Sequence, residues 1–241
     1  MNKDEIYKKP LGNIEDFSFD ESVSQAFNDM VDRSVPGYRT LIANIGPIAA
    51  HFIQPNSNCY DLGCSHGAAS LSIFKSLADK DTTIYAVDNS SAMIKHCNQL
   101  IEAESASSVI QTQLANIEDT KIFNASVVVL NLTLQFLPIT HRKQLLENIL
   151  HGLLPGGICI LTEKIIPQNP NTETLFQALH ENFKIANNYS QLEISQKRKA
   201  LENVLIRESL EDHTERLKDI GFSSINPWFQ CLNFISLLAI K

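Results

Sequence analysis

The chain has 241 residues, 44% of them hydrophobic and 20% charged, which is enough apolar material to bury a core and too much for a disordered segment. Twenty Lys and Arg against 27 Asp and Glu leave a formal charge of −7, so the surface repels polyphosphate and disfavours extensive direct contact with nucleic acid. No apolar run approaches the ~18 residues of a membrane-spanning helix. Charges also interrupt the N-terminal stretch 1–10 where a signal peptide would be apolar, so a soluble cytoplasmic protein without membrane contact is expected.

The first 55 residues have a helical pattern from Glu21 to Met30 and again from Tyr38 to Phe52, broken at Pro36-Gly37 and ended at Pro55. They are expected to cover the same domain rather than form a second one. From residue 58 strand-like and helix-like patterns alternate, the signature of a parallel sheet clothed by helices. Asn58–Leu62 is a first strand, and Ala68, Leu71, Phe74 and Leu77 mark the helix after it. Thr82–Val87 is a second strand, followed by an N-cap at Ser90 and a helix carrying Met93, Cys97, Leu100 and Ile101. Val109–Leu114 and the almost wholly apolar Ala125–Leu130 are the next strands, the latter central and covered on both faces. The amphipathic Thr140–His151 leads through Leu153-Leu-Pro-Gly-Gly157 into a strand at Ile158–Leu161.

After Glu163 the pattern changes. Asn169-Pro-Asn-Thr reads as a turn, and Leu175, Phe176, Leu179 and Phe183 mark a helix. The capping box Ser190-Gln-Leu-Glu193 opens another helix, which carries Lys197-Arg-Lys199. The segment 165–207 is thus a helical insertion suited to roofing a ligand site. Ser209-Leu-Glu-Asp212 caps a further helix that Gly221 terminates, and two strand-like runs around Trp228 and Phe234–Ile240 suggest a hairpin at the sheet edge. The expectation is one α/β domain over 1–241.

Five cysteines, an odd number without C-x-x-C spacing, argue against a disulfide framework and a structural zinc site. Cys59, Cys159 and Cys231 lie in apolar runs and read as small core residues. The close pairs Cys64/His66 and His96/Cys97 lack two further ligands at a sensible spacing, so no metal is expected.

Chemistry concentrates at Tyr60-Asp-Leu-Gly-Cys-Ser-His-Gly67, where the first strand turns into a helix. Gly63 lets the backbone approach a ligand and the helix N-terminus offers free N–H groups. Asp88 ends the second strand 25 residues after Gly63, close to the ~20-residue spacing at which a carboxylate accepts hydrogen bonds from a ribose diol. Alternatively, Asp88-Asn89-Ser90 merely caps the next helix. Taken together the two signals favour an adenosine-containing ligand.

The turn has the form D-x-G-x-x-x-G rather than G-x-G-x-x-G, and so resembles the first motif of class I S-adenosylmethionine-dependent methyltransferases, displacing a nicotinamide cofactor. Asn116-Ile117, Asn131 and Leu154-Pro-Gly-Gly157 fall where that superfamily has later motifs. The resemblance narrows at Ser34-Val-Pro-Gly-Tyr38, Tyr60–Ser65, Asn131–Leu137, Ser195-Gln-Lys-Arg198 with Leu201–Val204, and Trp228-Phe-Gln-Cys231. From about residue 15 onward, insertion included, the chain resembles the carboxy-S-adenosyl-L-methionine synthase family.

That resemblance implies a Rossmann-like fold with seven mainly parallel strands and one antiparallel strand. It implies conversion of S-adenosylmethionine and prephenate to carboxy-S-adenosylmethionine, phenylpyruvate and water, in a bacterial homodimer that supplies wobble-uridine tRNA modification. Catalysis would be substrate-assisted: the prephenate hydroxyl takes a proton from the activated methyl, and the ylide captures the released carbon dioxide. No protein acid or base is therefore named. The family's ligand contacts fall on Tyr38, Gly63, Cys64, Ser65, Asp88, Asn89, Asn116, Ile117, Asn131 and Arg198. Asn116 stands where the family usually has Asp, and His66 where Arg is more usual. Arg198 would bind the carboxylate of the transferred group with its planar fork, in its own pocket or a partner's; by itself the Lys-Arg-Lys run reads as a solvated helix face. A small-molecule methyltransferase or a non-enzymatic binding protein would share every adenosine contact. Nucleic-acid methylation is disfavoured, since neither N-P-P-Y/F nor a Pro-Cys pair follows the fourth strand.

Overall fold

Strands that are apolar along their whole length require cover on both faces, and the side chains divide accordingly in the computed structural model, which describes residues 3–77 and 81–241. The first two residues of the charged N-terminal stretch lie outside these described residues. Strands β1 (Ser57–Leu62), β2 (Thr82–Asp88), β3 (Ile110–Leu114), β4 (Ala125–Asn131), β5 (Leu153–Lys164), β6 (Ser224–Cys231) and β7 (Phe234–Ile240) form one sheet in the order β3-β2-β1-β4-β5-β7-β6. Val127 and Val129 of β4 join Cys59, Ile84 and Ile160 under α2 (Tyr38–Phe52), α3 (Ala68–Ser76) and α4 (Ser91–Ala103). Val128 and Leu130 point the other way, with Tyr60, Cys159 and Leu161, against α5 (Ile139–Gly152) and α8 (Leu210–Ile220). Strands β1 to β5 are parallel, and β7 runs antiparallel to both β5 and β6. This is the mainly parallel seven-stranded sheet with one reversed strand that was expected.

Local signals decide the boundaries. The Ser90 hydroxyl accepts from Met93 N at 3.2 Å to start α4. Capping boxes Ser190/Glu193 and Ser209/Asp212 open α7 (Gln191–Leu201) and α8, and Gly221 ends α8 at φ 113°. Three details differ from the sequence reading. The turn expected at Asn169–Thr172 is the first turn of α6 (Pro170–Ala186): the Asn169 side chain accepts from Asn171 N and Thr172 N, and Pro170 needs no hydrogen-bond partner there. Strand β5 begins at Leu153, which pairs with Ala125, before residues 154–157 loop out and pairing resumes at Ile158 opposite Val127. Cys231 is only partly buried because β6 is an edge strand, whereas Cys64 and Cys97 join Cys59 and Cys159 in the interior.

Two segments close over the carboxyl ends of the strands. Helix α1 (Glu21–Ser34) packs on α4, and its Arg33 donates to the carbonyls of Asn187 and Asn188 just beyond α6. Helix α7 is strapped by the N-terminal segment: Gln196 Nε2 donates to the Tyr7 and Lys9 carbonyls, Leu11 N donates to Gln196 Oε1, and Phe17 N donates to the Ala200 carbonyl. The insertion's return is clamped from below. Arg142 is fully buried, pairs with Glu208 and donates to the carbonyls of Leu137 and Ile206. The result is a roof whose position relative to the sheet is fixed by buried polar bonds.

Candidate functional site

Beneath that roof lies a cavity of about 420 Å³ at the carboxyl ends of β1, β2, β4 and β5, the crevice in which open α/β sheets bind ligands. Its floor begins with the β1–α3 turn. Gly63, Ser65 and Gly67 all have positive φ, and Gly63 N and Cys64 N both donate to the Val87 carbonyl. A Cβ on Gly63 would fall 2.4 Å from Thr133 Cγ2, so no other residue fits without displacing the loop after β4.

Asp88 ties this turn to β2. Its Oδ2 accepts from Ser65 N at 2.9 Å and its Oδ1 from Ser90 N at 2.8 Å, while burial pushes its carboxyl above the usual carboxylate range. The helix-cap and ligand readings of Asp88 are therefore compatible: each oxygen holds one backbone N–H and keeps further acceptor capacity toward the cavity. Asp61, which the sequence reading quoted without assigning it to the site, also lines the cavity. It accepts from Ser70 N and Ser70 Oγ, and burial, with the nearby Asp88 charge, raises it to about 6. At the end of β4, Asn131 Oδ1 is buried and has no hydrogen-bond partner among the described residues.

Nine of the ten sequence-predicted residues line this cavity: Tyr38, Gly63, Cys64, Ser65, Asp88, Asn89, Asn116, Ile117 and Asn131. Tyr38 enters from the start of α2, and burial pushes its phenol upward. Asn116 Oδ1 accepts from Asn89 Nδ2 at 3.2 Å, and Asn116 Nδ2 donates to Asp119 Oδ2 at 3.2 Å. The tenth residue, Arg198, lies outside the cavity; it is 54% exposed and pairs with Glu181 across α6 and α7.

The opposite end of the cavity is basic, and sequence reasoning missed it. Lys164 ends β5, His180 and Lys184 lie one turn apart on α6, and Lys197 comes from α7. His180 Nε2 donates to the Ser34 carbonyl at 2.7 Å, which leaves Nδ1 to accept from Lys164 Nζ at 3.4 Å. Burial, aided by neighbouring cations, lowers Lys164 to about 8 and Lys184 to about 7. Burial lowers Lys197 to about 8 against the pull of Asp4. Helical periodicity held the missed signal: Glu193, Lys197 and Ala200 share the buried face of α7, so Lys197 turns inward and Arg198 outward. Position held another, because Lys164 ends a parallel strand on the ligand side of the sheet.

The residues fit S-adenosylmethionine. Two carboxylates held up by burial, Asp61 and Asp88, suit a ligand bearing cationic groups and a ribose diol. The orphaned Asn131 oxygen suits a donor, and Gly63 admits close approach. Phe17, Phe19, Phe27 and Phe136 wall the cavity with aromatic surface.

A family model of a methyltransferase domain matches residues 60–157. The chain is 50% identical over 240 residues to a protein of Aliivibrio fischeri named carboxy-S-adenosyl-L-methionine synthase, covering 100% of this chain and 99% of that one. It is 52% identical over 239 residues to a protein of the same name from Trichlorobacter lovleyi, covering 99% and 98%. Among solved structures, human N-acetylserotonin methyltransferase in complex with S-adenosylmethionine matches with a TM-score of 0.62 at 16% identity, over 92% of this chain and 55% of that one. Magnesium protoporphyrin IX methyltransferase from Synechocystis, with S-adenosylmethionine bound, matches with a TM-score of 0.58 at 14% identity, over 85% and 80%. At such identities these structures share the fold alone.

Proposed function

Because the chain belongs to the carboxy-S-adenosyl-L-methionine synthase family and is an enzyme that makes carboxy-S-adenosyl-L-methionine, we propose that its co-substrate is prephenate and that phenylpyruvate and water leave with the product. The observation that carries this reading is the polarity of one cavity: carboxylates at the end suited to a cationic nucleoside, lysines at the end suited to a carboxylic acid.

S-adenosylmethionine supplies the activated methyl group, and the protein's own residues bind and orient. Asp88 accepts from the ribose hydroxyls, Ile117 packs on the base beside Asn89 and Asn116, and the turn Gly63–Ser65 takes the amino-acid portion, with Tyr38 and Asn131 completing the enclosure. No side chain is assigned as acid or base. The aromatic wall excludes water, and the cavity brings the reactants together, the two contributions this chemistry asks of the site.

The whole chain acts as one S-adenosylmethionine-binding domain, with 1–55 as cover and 165–207 as insertion. It works as a homodimer in the cytoplasm, and its product feeds wobble-uridine tRNA modification without the enzyme gripping tRNA. The net charge of −7 supports that last point. Support for the dimer comes from Arg198, exposed on an insertion that also exposes Leu175, Leu179, Ile185 and Leu192; in a dimer this guanidinium reaches the partner's transferred carboxylate. No helix among the described residues is long and apolar enough to cross a membrane.

Incubating the protein with S-adenosylmethionine and prephenate and weighing the nucleosides tests the reading. Carboxy-S-adenosylmethionine appearing together with phenylpyruvate is expected. Recovery of only unreacted S-adenosylmethionine or its homocysteine product would overturn prephenate as co-substrate.

A further inference from the structure

We propose that Lys164, held by His180, and Lys184, flanked by Lys197, form the subsite that receives the carboxylates of a dicarboxylic co-substrate. This inference rests on the proposed prephenate reaction and assigns it residues.

Charge pairing favours this assignment. The acids whose charges act on these lysines are each committed to another cation. Glu173 pairs with Arg207 at 2.7 Å, Glu181 with Arg198, Asp29 with Arg33 at 2.9 Å, and Asp4 with Lys197 at 3.5 Å. Lys164 and Lys184 form no ion pair among the described residues, although both line the cavity and repel each other. Burial makes both ammonium groups readier to lose their proton, and a ligand carboxylate beside each would restore the charge and be held by it. A dianion matches them in number.

Geometry supports the same assignment. Lys164 is held, not loose: His180 is fixed as its Nε2–H tautomer by the Ser34 carbonyl, and its Nδ1 accepts from the Lys164 ammonium. The Phe234 ring lies 5.6 Å from Lys164 Nζ and packs edge-on against His180, giving an apolar shelf beside the charges. A ring bearing two carboxylates finds both features there. A monocarboxylate would leave one lysine unanswered.

The experiment titrates prephenate calorimetrically into protein loaded with S-adenosylhomocysteine, which permits binding without turnover, and compares wild type with Lys164→Met and Lys184→Met. Each substitution should weaken prephenate at least tenfold and leave S-adenosylmethionine affinity within threefold, with Lys184→Arg recovering most of the loss. In steady state, KM for prephenate should rise more than kcat falls. Circular dichroism checks the fold, and Lys184→Gln serves where Met does not fold. Prephenate affinity within twofold of wild type in both substitutions, or no binding to wild type, overturns the subsite. Lysine-dependent binding without carboxy-S-adenosylmethionine formation would uphold the subsite and remove the prephenate reaction. Product formation with lysine-independent binding would do the reverse.

Discussion

The two ends of the cavity are built in opposite ways. At the acidic end, Asp61, Asp88, Asn131 and the Gly63 turn project from adjacent strand ends of one parallel sheet, and backbone N–H groups of Ser65, Ser70 and Ser90 hold the carboxylates in place. At the basic end, the charges arrive from β5, α6 and α7, three elements brought together by the N-terminal strap and by buried bonds from Arg33, Arg142 and Gln196. The first arrangement rests on the sheet itself, and it is the fold of that sheet which is shared with the solved methyltransferases. The second depends on an insertion, and the proposed co-substrate subsite lies there. Specificity is thus placed where the fold is free to vary, on a platform that is not.

The largest effect should come from the exposed face of the insertion. Arg198→Leu removes a guanidinium from the outer face of α7 while keeping much of its apolar stem. If Arg198 meets the transferred carboxylate across a dimer, carboxy-S-adenosylmethionine affinity should fall by about 2–5 kcal/mol, roughly thirtyfold to several thousandfold. S-adenosylmethionine has no carboxylate there and should change by less than about threefold. Titrating both nucleosides into both proteins separates ligand recognition from general damage. Equal losses for the two, or none, would return Arg198 to the role that its pairing with Glu181 already shows, a surface ion pair contributing ~0–1 kcal/mol.

What could be read from the sequence follows the same division. The central strands were legible because burial on both faces leaves runs such as Ala125–Leu130 with no polar residue but Ser126, and the helix starts because Ser90, Ser190 and Ser209 act through their immediate neighbours. Asp88 was legible for the same reason: one strand and one turn determine its place. The lysines were not. Nothing within a few residues of Lys184 says that α6 packs against α1, or that Ser34 fixes His180, because those contacts join segments about 150 residues apart. Arg198 carried the family's motif, but its position in the proposed dimer is not a property of a single chain.

An intermediate effect tests the acidic end from behind. His66, next to the Gly67 turn, is buried, stacks on His96 at 5.0 Å and shares the Ser24 hydroxyl with it. Burial first, and His96 second, lower His66 to about 4. The unfolded chain, with an ordinary histidine near 6.5, therefore takes up the proton first, so stability is intact above about pH 6.5 and is lost as pH falls toward 4. His180 and His213 are lowered too, so only a difference isolates His66. In urea unfolding, wild type should lose about 1–2 kcal/mol more than His66→Asn between pH 7 and pH 5. Parallel losses would show that the proton goes elsewhere.

The smallest effect sharpens the reading of Asn116. A carboxylate at this position would strengthen a hydrogen bond from the adenine amino group, so Asn116→Asp taken alone is expected to tighten S-adenosylmethionine. The neighbours change that expectation. Asn116 donates to Asp119 at 3.2 Å, and Asn116→Asp replaces that bond with two like charges on an exposed surface, a repulsion of ~1 kcal/mol at 4 Å in water. That repulsion turns the new carboxylate away from Asp119 and from the base, and bringing it back on binding costs about what the stronger hydrogen bond gains, so affinity should stay within about threefold of wild type, ~0.7 kcal/mol. Asp119→Asn relieves the repulsion without touching the adenine contact. In a double-mutant cycle, Asn116→Asp should therefore tighten S-adenosylmethionine in the Asp119→Asn background and not in the wild-type one, with a coupling of at least ~0.5 kcal/mol that shrinks in high salt. Additivity of the two substitutions would mean that Asp119 does not explain the amide, and that Asn116 is retained for its bond from Asn89 instead.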